Sequence, residues 1–131
     1  MTTKSKSSNA WRPTQQERKE RIEEARECLR QSRVIAARPE RVWKQFSALG
    51  LFTQEEIDLA LEAAFNEIRP RDYRGSFPPE ESIEDACKGA ELFPFAWNSL
   101  SRGCQMYLKF ALVPDLVIVS FHRSSREKKT S

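Results

Sequence analysis

The segment 104–122 constrains the fold more than any other part of the chain, because it predicts two strands joined by a tight turn. Its first half alternates apolar residues with polar or small ones, the pattern of a half-buried strand; the apolar positions are Met106, Leu108, Phe110 and Leu112. Its second half, 116–122, is apolar almost throughout. Pro114 and Asp115, between the halves, are typical turn residues. We therefore expect an antiparallel hairpin.

A two-residue loop at Pro114-Asp115 sets the register of this hairpin. Val117, Val119 and Phe121 then share one core face with the first strand, through three facing pairs: Leu108 with Phe121, Phe110 with Val119, and Leu112 with Val117. A slip of one residue would turn one apolar set toward water. On the opposite face, the register predicts Tyr107 beside His122 and Lys109 beside Ser120.

The segment 91–97 predicts a third strand, whose apolar face carries Phe93, Phe95 and Trp97. Pairing Trp97 with Cys104 adds these aromatic rings to the same core face. This register also lines up Pro94 with Tyr107 and His122 across three strands. Because proline cannot donate a ladder hydrogen bond, we expect its strand at a sheet edge.

The N-terminal half predicts three helices. Thr14 with Glu17 is a capping-box pattern, and the first helix should run over 15–32. Its apolar stripe is narrow and its remainder is charged, so it is either a solvated helix or a basic face that contacts RNA. Pro39 suits the first turn of a second helix that Gly50 ends, with Val42, Trp43, Phe46 and Leu49 facing inward.

A second capping box, Thr53 with Glu56, opens the third helix, and Pro70 stops it. Its apolar positions recur at helical spacing and predict core contacts: Ile57, Leu61, Ala64, Phe65 and Ile68. The segment 69–79 is either a short strand around Tyr73 or a loop, and the acidic segment 80–88 is either a loop or one helical turn.

These elements predict an α+β fold, with N-terminal helices packed on a C-terminal antiparallel β-sheet. The 131 residues fit one domain. We divide it into a flexible leader (1–13), a helical half (14–69), a β-sheet half (70–122) and a basic tail (123–131).

Composition excludes several classes of protein. No apolar run approaches the roughly 20 residues of a membrane span, and the leader lacks the apolar core of a secretory signal. The three cysteines, Cys28, Cys87 and Cys104, fit neither a disulfide framework nor a zinc motif, which favours the reducing cytoplasm. With a single histidine, a metal site is not expected, and no cofactor motif occurs.

The face with Tyr107 and His122 carries the groups that RNA cleavage needs when the ribose 2′-hydroxyl attacks the adjacent phosphate. Histidine side chains exchange a proton near neutral pH, and tyrosine can donate a hydrogen bond to phosphate. Nearby cations that could stabilise the phosphorane are Lys109, Arg74 and Arg123. Tyr107, Lys109 and His122 can equally be ordinary surface neighbours of a sheet, so the pattern alone leaves both interpretations open.

The hairpin resembles the C-terminal hairpin of the MqsR-type toxins, which are bacterial mRNA interferases of RelE-like fold in type II toxin–antitoxin systems. The likeness is carried by Tyr107-Leu108-Lys109-Phe110 and by Asp115-Leu116-Val117-Ile118-Val119-Ser120-Phe121-His122. The family has Tyr-Leu-Lys, then Asp, an apolar pair, Ile-Val-Ser-Phe and a terminal Lys. A similar layout upstream includes Asp72-Tyr73-Arg74.

The resemblance implies roles by position. Tyr107 falls on the active-site tyrosine of the family, His122 on its terminal active-site lysine, and Arg74 on an upstream lysine. Pro94 occupies the place of an active-site glutamine, and the remaining candidates for that role are Gln105 and Asn98. The family also implies a cognate antitoxin, zinc-containing in the MqsA type.

These observations predict a cytoplasmic, metal-independent endoribonuclease that cleaves mRNA and that an antitoxin neutralises, with no membrane partner. The expected catalytic residues are His122, Tyr107 and Arg74, and the expected RNA contacts are Lys109, Arg123, Arg71 and Gln105. The alternatives are a non-catalytic RNA- or protein-binding module on the same fold, or a regulator that contacts DNA through its basic first helix.

Overall fold

The computed structural model describes residues 12–76 and 78–124, which form three α-helices, two single-turn 3₁₀ helices and four strands. The helices are α1 (Gln15–Arg30), α2 (Pro39–Ala48) and α3 (Gln54–Glu67), and the 3₁₀ helices are Pro70–Asp72 and Asp85–Cys87. The strands are β1 (Val34–Ala36), β2 (Phe93–Ser99), β3 (Cys104–Leu112) and β4 (Leu116–Arg123). This arrangement confirms the predicted α+β class. Residues 1–11 of the expected leader and 125–131 of the expected tail lie outside the described residues.

The four strands form one mixed sheet in the order β1-β4-β3-β2. β2, β3 and β4 are antiparallel neighbours, whereas β1 pairs with β4 in parallel, with Val34 beside Leu116 and Ala36 beside Ile118. β1 was not predicted from the sequence, so the expected all-antiparallel sheet is wrong at this edge. A parallel neighbour must come from a distant part of the chain, and here the helical half supplies it.

The predicted capping boxes are present at α1 and α3. At α1, Thr14 Oγ1 accepts from the backbone N–H of Glu17 at 3.1 Å, and Glu17 Oε1 accepts from the N–H of Thr14 at 2.8 Å. Thr53 and Glu56 make the same exchange at α3. α1 ends at Arg30 and not at 32, because Ser32 takes a left-handed conformation, with φ 59°, that reverses the chain toward β1.

The main core lies between the helices and one face of the sheet. Its largest fully buried side chains include Phe65, Phe95, Phe110, Phe121, Leu61 and Met106. Burying such a side chain stabilises the fold by about 1.5–3 kcal/mol. The inward-facing set predicted for α3 is buried as expected. Trp43 of α2 was expected to face inward, but it is 46% exposed and contacts Phe46 edge to face at the margin of the core.

The hairpin keeps its predicted register at the open end and loses it near the turn. Tyr107 faces His122 and Leu108 faces Phe121, but a bulge between Lys109 and Phe110 then shifts the pairing by one residue. Phe110 therefore faces Ile118, and Leu112 faces Leu116. The bulge accommodates one extra residue of β4. The partners that were expected for Phe110 and Leu112 are therefore wrong.

This shift also divides the apolar residues of β4 between the two faces of the sheet. Leu116, Ile118 and Phe121 join the main core, whereas Val117 and Val119 lie in a second buried cluster on the opposite face, with Cys87, Leu92 and Ala111. The expectation that Val117, Val119 and Phe121 share one face is therefore wrong. A fully apolar strand can be buried on both faces, and the segment 80–92 supplies the second cover.

β2 is an edge strand of the sheet, as its proline predicted, but its register differs by two residues from the expected one. Trp97 faces Met106 instead of Cys104, and Ala96, not Pro94, faces Tyr107. Because the difference is even, Phe93, Phe95 and Trp97 keep their place on the core face. Beyond β2, the segment that was expected to be either a short strand around Tyr73 or a loop makes a single antiparallel bridge, between Tyr73 and Phe95.

Within the described residues, no helix is both long enough and apolar enough to cross a membrane.

Candidate active site

Tyr107 and His122 meet on the face of the sheet that points away from the helices. They face each other directly on β3 and β4, and their ring centroids are 5.2 Å apart with 30° between the ring planes. Both side chains are part-exposed. The phenol and the imidazole therefore form the pair that the sequence predicted.

The His122 imidazole is oriented by a backbone carbonyl. Its Nδ1 lies 2.7 Å from the carbonyl oxygen of Arg123, which can only accept a hydrogen bond. The ring must therefore carry a proton on Nδ1. In the neutral imidazole this leaves the lone pair on Nε2, so Nε2 is the atom that can take a proton from a substrate.

The Tyr107 hydroxyl is a donor that holds its proton strongly. Burial raises the pKa of the Tyr107 phenol, and the carboxylate of Glu80 raises it further. A phenol with a raised pKa stays protonated over the physiological range, so Tyr107 is suited to donate a hydrogen bond to a phosphate oxygen or to protonate a leaving group.

Lys109 lies on the same face of β3 as Tyr107, but it is engaged by the chain itself. Its Nζ is 3.4 Å from Oε1 and 3.5 Å from Oε2 of Glu80. The side chain of Lys109 is only 19% exposed, against 50% for Glu80. The ammonium that was expected to hold a phosphate therefore has a counter-charge already.

Gln105 occupies the other side of Tyr107 along β3. Its Nε2 lies 3.5 Å from Oδ1 of Asn98, its partner on β2. This long contact leaves the amide with free donor and acceptor capacity. Gln105 therefore remains on the predicted face, two residues from the phenol.

Three of the predicted cations lie away from the Tyr107–His122 pair. Arg123 faces Met106, whose side chain is in the main core, so its position belongs to the helix side of the sheet. Arg71 and Arg74 lie beyond edge strand β2, where the N–H of Arg74 donates to the carbonyl of Pro94 at 2.8 Å. Three interstrand spacings, about 14 Å, separate Arg74 from β4.

The register of β2 shows that Pro94 does not occupy the position beside Tyr107 that was expected for the family's active-site glutamine. Ala96 lies beside Tyr107 in the cross-strand row, and Pro94 lies beside Lys109. The row through the ring pair is therefore alanine, tyrosine and histidine, and neither β2 residue supplies a polar side chain.

Glu80 is the site residue that sequence reasoning missed. The sequence contains only an indirect indication of Glu80: a lysine at a half-buried strand position, here Lys109, needs a carboxylate nearby as its counter-charge. Several acids in the segment 80–85 could have supplied that charge, and only the fold of this segment over the second apolar cluster selects Glu80.

In the described part of the chain, no group of three or more His, Cys, Asp or Glu side chains is placed to hold a metal ion. Comparisons of the sequence with protein-family models and with curated proteins, and of the fold with solved structures, found no match.

Proposed function

We propose that this protein is a metal-independent endoribonuclease of the bacterial cytoplasm that cleaves mRNA by attack of a ribose 2′-hydroxyl on the adjacent phosphate. The observation that carries the proposal is the ring pair of Tyr107 and His122, in which Nδ1 of His122 is held by a carbonyl. The hairpin's resemblance to the MqsR-type toxins supports the same reaction.

The reaction divides between the two rings. His122 Nε2 takes the proton of the 2′-hydroxyl as O2′ forms a bond to phosphorus, and the bond from phosphorus to O5′ breaks. The phenol of Tyr107 gives its proton to O5′, and solvent water then takes the extra proton from His122 and returns a proton to the Tyr107 phenolate. The products are a 2′,3′-cyclic phosphate and a 5′-hydroxyl, and both side chains regain their starting states.

A cognate antitoxin completes the proposal, because an unrestrained mRNA nuclease would arrest the growth of its own cell. The antitoxin would cover the open face around Tyr107 and His122 and exclude RNA from it. The resemblance implies a zinc-containing protein of the MqsA type. Growth arrest on expression of this chain alone, relieved by a partner, is the expected cellular result.

The direct test uses purified protein and a defined single-stranded RNA in excess EDTA, with analysis of the product ends. We expect cyclic phosphate products from the wild type and a loss of about a hundredfold or more in rate for His122→Ala and Tyr107→Phe. Arg123→Ala is the matched control, since it changes the next residue of β4 on the opposite face. Undiminished cleavage by His122→Ala would overturn the mechanism.

A non-catalytic binding module is the second candidate, and two observations favour it. Glu80 neutralises the ammonium of Lys109, and Ala96 takes the place of a polar residue beside Tyr107. An RNA that binds to the protein but remains intact would favour this function. Binding of duplex DNA with sequence preference and strong salt dependence would instead support a DNA regulator.

A further inference from the structure

Four arginines gather around one buried tyrosine at the β2 edge of the sheet. The guanidinium carbon of Arg18 lies 4.5 Å from the ring centroid of Tyr73, and that of Arg12 lies 5.4 Å from it. Arg71 and Arg74 flank Tyr73 in sequence, and Nη1 of Arg74 donates to the carbonyl of Tyr73 at 3.1 Å. We call Arg12, Arg18, Arg71 and Arg74 the arginine cluster.

In the part of the chain that the structure describes, the cluster forms no salt bridge. Among the described residues, none of its guanidiniums lies within 4.0 Å of a carboxylate, whereas Arg21, Arg30, Arg33, Arg38 and Arg41 all do. Burial, followed by the charge of Arg12, lowers the pKa of the Arg18 guanidinium. Like charges held together without a partner favour the binding of an anion.

Three nearby carboxylates, those of Asp72, Glu17 and Glu91, form no salt bridge with the cluster. Asp72 Oδ2 accepts from the backbone N–H of Arg69 at 2.8 Å, and Glu17 Oε1 accepts from the N–H of Thr14 as part of the helix cap. Burial raises the pKa of Glu91, and the charge of Glu17 raises it further. None of these three carboxylates lies within 4.0 Å of a guanidinium of the cluster.

The cluster also keeps unused donors. Arg18 donates from Nε to the carbonyl of Pro13 and from Nη1 to the carbonyl of Pro70. Arg74 donates only from Nη1, to the carbonyls of Arg71 and Tyr73. Arg12 and Arg71 make no side-chain hydrogen bond within the described ranges, and both are exposed, as is Arg74. A guanidinium has five N–H donors in a planar fork that matches phosphate oxygens, so the cluster can hold more than one phosphate.

We infer that the arginine cluster binds the phosphodiester backbone of single-stranded RNA. The inference rests on the proposed function for the identity of the ligand. The cluster adjoins β2, so an RNA chain whose scissile phosphate lies at Tyr107 and His122 would cross Ala96 and Pro94 to reach Arg74. The inference assigns to Arg12 and Arg18 a role in holding RNA, keeps Arg71 as an RNA contact, and moves Arg74 from the reacting phosphate to a neighbouring one.

The test measures binding of a labelled single-stranded 2′-O-methyl RNA, which lacks the attacking hydroxyl and cannot be cut, by fluorescence anisotropy over a range of salt concentrations. We expect the triple variant R12Q/R71Q/R74Q to bind about tenfold or more weakly. The slope of log affinity against log salt should fall by about 2, since each lost phosphate contact on a single strand contributes about 0.7. Arg18→Gln is measured separately, with a thermal melt to verify that its contacts with Pro13 and Pro70 are not needed for folding.

Arg30→Gln is the matched control, because it removes the same charge from an arginine that pairs with Glu27. It should change the affinity by no more than about twofold, since a remote exposed charge is screened by salt. Wild-type affinity and slope in the folded triple variant, or no RNA binding by the wild type, would overturn the inference.

The same measurement separates this inference from the cleavage mechanism. If binding depends on the cluster but no RNA is cut, the cluster assignment holds and the nuclease proposal fails. If RNA is cut and the triple variant binds normally, the nuclease proposal holds and the cluster assignment fails.

Discussion

The ammonium of Lys109 lies 3.4 Å from Oε1 of Glu80, so the chain places its own carboxylate on the face that carries Tyr107 and His122. The same carboxylate raises the pKa of the Tyr107 phenol, after the larger effect of burial. Glu80 therefore acts on both of its neighbours: it neutralises a cation that would attract RNA, and it repels the phosphate that Tyr107 would contact.

The first prediction is that Glu80→Gln strengthens RNA binding several-fold and lowers the pKa of Tyr107. Removing the carboxylate frees the ammonium of Lys109 and removes one cause of the raised phenol pKa, while burial still holds that pKa above its usual value. Stability should change by less than about 1 kcal/mol, because the ion pair is partly exposed. RNA titration and a spectrophotometric titration of tyrosine measure the two effects.

Asp85→Asn is the control for this prediction, because it removes an exposed carboxylate from the same segment. It should leave the Tyr107 titration unchanged. Equal RNA affinity for Glu80→Gln and the wild type would mean that Lys109 does not face the RNA.

The second prediction concerns Glu67, which ties the end of α3 to the turn between β2 and β3. Its Oε1 accepts from the indole N–H of Trp97 at 2.8 Å and from the Ser99 hydroxyl at 2.7 Å, and its Oε2 accepts from the Ser101 N–H at 2.8 Å. Burial acts to raise the pKa of Glu67, but these hydrogen bonds outweigh it and the net pKa is lowered. The carboxylate is thus more stable in the folded protein than in the unfolded chain.

A carboxylate whose pKa is lower in the folded protein stabilises the fold at pH values above its unfolded pKa, which is about 4.3 for Glu. This stabilisation is lost as the pH falls through the folded pKa. We therefore expect Glu67→Gln to cost about 1–2 kcal/mol near neutral pH and clearly less at pH about 3. Urea unfolding at both pH values measures the difference. Glu62→Gln, on the exposed side of α3, should cost little at either pH, and a pH-independent cost for Glu67→Gln would exclude the charged acceptor as the cause.

The sequence predicted the elements whose pattern is long and repeated. Two capping boxes located the starts of α1 and α3, and the alternation in 104–112 located β3 and the pairing of Tyr107 with His122. These features depend on residues close together in the chain or on a face that must be buried, so local physics decides them.

The sequence could not predict features that depend on the distant neighbours of a strand. β1 is only three residues long and is stabilised by β4, so its own pattern carries almost no signal. The bulge opposite Lys109 became necessary because the second cluster needs Val117 and Val119 on the reverse face. Ala96 is placed by the register of β2, and Glu80 by the fold of segment 80–92 over the second cluster. The sequence therefore predicted that Tyr107, His122, Lys109 and Gln105 share one face, but it did not predict Ala96 or Glu80 beside them.

The third prediction is the tautomer of His122. Because the carbonyl of Arg123 accepts from Nδ1, the neutral ring should carry its proton on Nδ1 and leave Nε2 free. Nitrogen NMR of the imidazole at alkaline pH distinguishes the two ring nitrogens, and as this is the single histidine of the chain the signals need no assignment. A protonated Nε2 in the neutral ring would remove the base from the proposed reaction.

The fourth prediction concerns the packing of Gly75 against Tyr73. A Cβ at position 75 would lie 1.9 Å from the phenol oxygen of Tyr73 and 2.1 Å from its Cζ, and residue Tyr73 is only 3% exposed. We expect Gly75→Ala to destabilise the protein by about 1–3 kcal/mol, because the ring or the backbone must move. The Tyr73 hydroxyl is buried and finds no hydrogen-bond partner among the described residues, so Tyr73→Phe should stabilise the fold by about 1 kcal/mol.

The double variant tests this packing, because removing the phenol oxygen relieves part of the overlap with the new methyl group. Gly75→Ala should therefore cost at least about 0.5 kcal/mol less in the Tyr73→Phe background than in the wild type, measured by urea unfolding. Gly89→Ala is the control: Gly89 has φ +81° with open space around its Cβ position, so this change is destabilising through backbone strain alone and should be additive with Tyr73→Phe. Additivity of Gly75→Ala with Tyr73→Phe would show that the chain has room at Gly75 and that the phenol does not set its conformation.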